Sequence, residues 1–155
     1  MKKIVLLSMV ILISGAVSAQ VQDFTGTWKL NTGKSMLGDQ FSLAPREIIV
    51  TQKGNEMTVE KHSDFQGQEM TTTDKLTLDG KECINTAWQE AQKKSTAVWS
   101  DESKTLTVTS RMNIAEAGDI TIIEIFKMDG PNMVLVSNAS SSYGDLAETM
   151  VYDKE

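Results

Sequence analysis

Turn signals recur along most of this chain at a near-constant interval. From Gly54 onward they are Gly54-Asn55, Gln66-Gly67, Asp79-Gly80, Asp101-Glu102-Ser103, Gly118-Asp119, Asp129-Gly130 and Tyr143-Gly144. The steps are about a dozen residues long, as in hairpin-connected all-β chains. One step, from Gly80 to Asp101, is nearly double, and a further turn near Gln89 to Lys93 divides it. Such spacing marks short antiparallel strands joined by tight turns. The segments between turns are unlike one another, so this is not a sequence repeat.

The segments alternate in polarity. In "EMTVEKHSDF" Met57, Val59, Lys61, Ser63 and Phe65 fall on one side, and Thr58, Glu60, His62 and Asp64 on the other. In "KTLTVTSRM" Leu106, Val108 and Met112 oppose three threonines. Period two with Thr, Val and Ile enriched marks half-buried strands. The β-branched run in "DITIIEIFKM" reads as a strand covered on both sides. "NTAWQEAQKK" contains good helix formers, but propensity is a weak guide, and strand-turn-strand fits the spacing better. Strand or short helix over 83–92 stays open. Gly33, Gly38 and Pro45 break the Asn31–Pro45 stretch into a loop or one or two helical turns.

Ten strands are expected between about Thr25 and Asp153, counted from the turn signals. A meander of that length leaves two exposed edges, and closure into a barrel removes them. The fold class is therefore all-β, a single up-and-down antiparallel barrel of about 8–10 strands. Its interior is wider than side chains alone would fill, so a small-molecule cavity is plausible. A flattened barrel filled by its own side chains is the alternative.

The N-terminus carries a different signal. Lys2 and Lys3 precede an apolar run from Ile4 to Ile13, and Val17-Ser18-Ala19 supplies small residues. This is the pattern of a secretory signal peptide over 1–19, cleaved after Ala19, and the run is too short for a comfortable membrane span. The expected mature chain, 20–155, is one domain, secreted or periplasmic, with no membrane insertion. With the two leader lysines gone, 13 basic residues stand against 21 acidic ones, a net charge of −8. That balance argues against a nucleic-acid partner. Cys83 is the only cysteine and reads as a small buried apolar residue, so no intrachain disulfide forms. His62 is the only histidine and reads as solvent-facing, without a partner that would make it a general base. Multi-histidine metal sites are excluded, the acids show no calcium-loop spacing, and no phosphate loop is present. No cofactor, metal or catalytic residue is expected. Asn138-Ala139-Ser140 fits a glycosylation sequon, which reads as chance.

Some residues carry a family likeness. Gly26-Thr27-Trp28 resembles the Gly-x-Trp that opens the calycin barrels, the lipocalins and fatty-acid-binding proteins. Pro45 to Phe65 resembles their second and third strands, and Gly144 to Glu155 their last strand, with its Val-Tyr-acid-Lys close at Val151 to Lys154. The likeness thins between Glu82 and Pro131. It implies that Gly26 lets the chain approach closely and that Trp28 plugs the closed end. It also implies inward-facing ligand residues at Lys61, Ser63 and Phe65 on one strand and Glu148, Met150 and Tyr152 on the last.

Two departures matter. Many relatives grip a ligand carboxylate with an Arg two residues before the final Tyr, where this chain has Met150, and Asp119 to Met128 contains no partner Arg. Asn31 to Pro45 is also too short and Gly-broken for the family's two-helix lid. A calycin-like shell without clamp or lid resembles bacterial secreted lipocalin-like proteins. The expected function is monomeric binding of a small apolar or weakly polar ligand. An inhibitor or protein-interaction barrel is the first alternative, and an enzyme using Glu148 or Tyr152 the second.

Overall fold

The computed structural model describes residues 20–155, so the leader read at 1–19 lies outside the described residues. Ten strands follow one another: β1 (Gly26–Leu30), β2 (Glu47–Lys53), β3 (Glu56–Phe65), β4 (Gln68–Thr77), β5 (Cys83–Thr86), β6 (Gln92–Trp99), β7 (Leu106–Ile114), β8 (Gly118–Asp129), β9 (Asn132–Ser141) and β10 (Gly144–Lys154). They form one antiparallel sheet in the order β4-β3-β2-β1-β10-β9-β8-β7-β6-β5. This is a meander whose first strand is joined to its last, with Trp28 opposite Lys154 and Leu30 opposite Tyr152. The 83–92 segment resolves as strand, a three-residue 3-10 turn at Trp88–Glu90, and strand.

The sheet curls until β4 and β5 lie side by side without pairing as strands. Side chains bridge this seam instead. The Asn85 amide donates to the Lys75 carbonyl at 3.0 Å and accepts from the Lys75 N–H at 2.8 Å. Cys83 Sγ accepts from the Thr77 N–H at 3.2 Å. Cys83 is thus half-buried and engaged across the seam, not a fully buried apolar filler as its isolation in the sequence implied.

Alternation sorts the side chains as period two requires. Met57 and Val59 on β3, Leu106 and Val108 on β7, Phe126 on β8, Leu135 on β9 and Met150 and Tyr152 on β10 all point into one core. On β8 the sequence expectation is corrected. Its outer face is not covered: Ile123 is 38% exposed, while Glu124, inside the β-branched run, takes the buried side at 9%.

One barrel end is closed by aromatic packing. Phe24 lies fully buried just before β1, stacks on Trp99 at 5.9 Å between ring centroids, and tilts against Phe126 at the same distance. Trp28 is 1% exposed above this cluster, and its indole N–H donates to the Phe24 carbonyl at 2.8 Å. Gly26 has φ +151°, a backbone conformation that favours glycine, and a Cβ there would lie 2.8 Å from Lys154 Cε, so the lysine tip would have to move aside for any other residue.

Candidate ligand-binding site

The other barrel end is where the Asn31–Pro45 crossover lies, and it contains no helix. A polar anchor holds it. Glu148 on β10 is 4% exposed, and its carboxylate accepts from the Gly38 N–H at 3.0 Å and the Leu43 N–H at 3.2 Å. Met36 exchanges two backbone hydrogen bonds with Thr149, at 2.8 and 2.9 Å. The Tyr152 hydroxyl donates to the Pro45 carbonyl at 3.0 Å. Phe41 sets its edge against Phe65 at 5.8 Å, tying the loop to the end of β3. A Cβ on Gly38 would come within 2.1 Å of the Phe41 carbonyl oxygen, so the loop cannot hold this shape with any other residue there. Gly38→Ala is expected to loosen this strap while leaving the barrel folded, read as faster amide exchange at Gly38 and Leu43.

Beneath the strap runs a charged layer. Lys61 on β3 reaches across to Glu124 on β8 at 2.5 Å, with side chains 13% and 12% exposed. Lys93 on β6 lies 2.6 Å from both oxygens of Asp74 on β4, and its geometry makes a hydrogen bond only to Oδ2. Ser95 and Ser110 bond to each other at 2.8 Å between these pairs. Asp74, Glu124 and Glu148 thus face inward against Lys61 and Lys93, and both lysines are engaged. Above the layer, Met70, Met112, Ile122 and Leu146 occupy the inward positions of their strands and remain half-buried. An apolar rim therefore surrounds an acidic floor.

Burial alone would push the Lys61 ammonium down. The carboxylates of Glu124 and Asp74 and the hydrogen bond to Glu124 outweigh it and hold the group above its ordinary value. Burial pushes the Tyr152 phenol up, with Glu124 and Glu148 adding to it. Both groups hold their protons more tightly folded than unfolded. Their contribution to stability is complete below the unfolded values of 10.5 and 10.0 and is lost as pH rises through the folded ones. Urea midpoints are therefore expected to fall above about pH 10, and more shallowly in Tyr152→Phe. An equally steep fall in that variant would remove Tyr152 from the account.

The structure places the sequence candidates at three depths. Phe65, 39% exposed, and half-buried Ser63 stand at the mouth, with Ser63 opposite Met70. Lys61 and Glu148 form the charged layer, and they do not pair with each other. Met150 and Tyr152, 2% and 0% exposed, lie beneath it in the core. Glu124, Asp74 and Lys93 escaped the sequence reading. The available signal was a charge at an inward position of an otherwise apolar strand, as in Ile122-Ile123-Glu124-Ile125-Phe126. His62 lies on the outer face, 2.7 Å from Glu60. Among the described residues no cluster of three His, Cys, Asp or Glu is placed to hold a metal ion.

No family model matches the chain, and no curated protein matches it. Solved structures do. The zebrafish ileal bile acid-binding protein in complex with cholic acid superposes with TM-score 0.59 at 16% identity, over 85% of this chain and 98% of that one. An SAHS protein from Ramazzottius varieornatus gives 0.61 at 11% identity, over 85% and 95%. Fatty-acid-binding protein 1 of Echinococcus granulosus gives 0.53 at 16%, over 84% and 96%. At such identities the likeness is one of fold, and it spans nearly the whole of each neighbour. Together with the first strand joined to the last, it shows that this chain shares their antiparallel β-barrel fold.

Proposed function

We propose that the protein is a secreted or periplasmic binding barrel for a small apolar or weakly polar molecule, acting as a monomer. The observation that carries this reading is the mouth. Half-buried apolar residues at inward positions of β4, β7, β8 and β10 stand above the charged layer, at the end where the strap lies. Two fold neighbours carry names that speak of bile acid and fatty acid. In this reading Phe65 and Ser63 touch the ligand, Lys61 and Glu148 form the floor that limits its depth, and Met150 and Tyr152 support that floor from below. Neither lysine is free to bind a carboxylate, because each already faces an acid within 2.6 Å. A simple fatty acid should therefore bind weakly, since the charge-assisted fork that recognises carboxylate is missing.

Native mass spectrometry of protein purified from its own organism tests this directly. The expected species is a chain beginning at Gln20 with a neutral adduct. Phe65→Ala is expected to weaken that adduct about tenfold, the equivalent of one apolar contact surface. His62→Ala, on the outer face, should leave it unchanged. Tight, carboxylate-dependent binding of simple fatty acids would sink the reading.

A further inference from the structure

The seam between β4 and β5 has a second, open half. Lys75 and Thr77 turn their backbone N–H groups into the seam, where Asn85 and Cys83 meet them. Period two puts the N–H and C=O of Thr71 and Thr73 on the same side, one and two steps nearer the mouth. There β4 pairs only with β3, and no backbone partner meets Thr71 or Thr73 from the seam side among the described residues. A groove of about 570 Å³ occupies the space, lined by Met70, Thr71 and Thr73 on one wall and Ile84 and Trp88 on the other. Ile84 is 59% exposed and Trp88 53%.

Two observations say what fits there. The lower half of the slot is already filled by an amide, because the Asn85 carboxamide bonds both backbone groups of Lys75 as a neighbouring strand would. The groove's only charged lining residue is Lys75, which is exposed and has no ion-pair partner among the described residues. The Trp88 wall is also held out at a conformational cost. Gln89 and Glu90 both sit at positive φ, 55° and 57°, a region that non-glycine residues avoid.

From this we infer that the open half of the seam binds an extended peptide. The peptide adds as a strand along the β4 edge at Thr71 and Thr73, in line with the Asn85 amide. It sets an apolar side chain against Trp88 and Ile84 and an acidic one beside Lys75. Backbone pairing supplies the affinity and the two side-chain contacts the direction, as in strand addition to other sheet edges.

The probe is a library of linear heptapeptides displayed on phage and selected on the intact protein. Enriched peptides are resynthesised and tested against wild type, Trp88→Ala and Lys75→Glu. Trp88 and Lys75 are exposed, so neither change threatens the fold. At least tenfold loss is expected with each variant. N-methylation at alternate residues of the peptide should weaken binding by a similar factor, while methylation at intervening residues should not. In the labelled protein, the Thr71 and Thr73 amides should become protected from exchange when the peptide is added. The proposal is overturned if no selected peptide depends on Trp88, if the methylation scan is flat, or if those two amides exchange unchanged.

Discussion

Trp28→Ala is expected to cost about 3–5 kcal/mol of folding stability, the range for deleting a buried aromatic side chain. The indole sits above the Phe24–Trp99–Phe126 cluster, where neighbouring strands cannot collapse to fill the gap, because β1 is fixed on both sides by β2 and β10. The change also strands the buried Phe24 carbonyl, which accepts the indole N–H. Trp28→Phe separates the two terms: it keeps most of the packing and loses only the donor, for about 1–3 kcal/mol. Guanidinium unfolding followed by far-ultraviolet dichroism reads both. A loss below about 1 kcal/mol for the alanine variant would mean that the barrel end closes without this residue.

Lys61→Met is expected to cost a comparable ~3–5 kcal/mol, for a different reason. The methionine fills much of the volume of the lysine stem, so packing changes little. What remains is Glu124, almost out of solvent and without its cation. Breaking one side of a buried pair leaves an uncompensated charge, whereas replacing both sides by apolar groups is often neutral or better. The double variant Lys61→Met with Glu124→Leu is therefore expected to recover most of the loss, and it could exceed wild type. Denaturant titration of the two single variants and the double one gives the coupling directly. If Lys61→Met alone proves silent, the ion pair is solvated and the charged layer is not a dry floor.

The contrast between these two residues shows what local sequence carries. Trp28 stands in a three-residue pattern whose meaning is local: a glycine where strands crowd, then a ring where they leave a hole. The meander was equally legible, because each hairpin announces itself within a few residues through glycine and alternation. Lys61 was legible as inward-facing, yet its partner is 63 positions away, and nothing near either residue names the other. Glu124 hid inside a run so rich in isoleucine that the strand read as apolar on both faces. Phe24 precedes the first strand and has no periodicity to reveal that it turns back over the barrel end. The seam was also invisible, because an omitted strand pairing leaves no mark on composition. Asn85 and Cys83, which patch it, look like ordinary strand residues.

Because β1 is zipped to β10, the two arms of the sheet, β2 to β4 and β5 to β9, share no strand ladder until the final segment of the chain arrives. A polypeptide emerging N-terminus first can assemble hairpins, but it cannot complete the circle while Gly144 to Lys154 is still being made. Pairing the two ends carries the largest loop-closure cost in the molecule and places it last, which predicts slow, late folding. The nascent chain thus stays pliable for as long as it is incomplete. Deleting β10 would leave two ribbons held together only at the side-chain-bridged seam between β4 and β5, with unsatisfied edges at β1 and β9, not a smaller barrel.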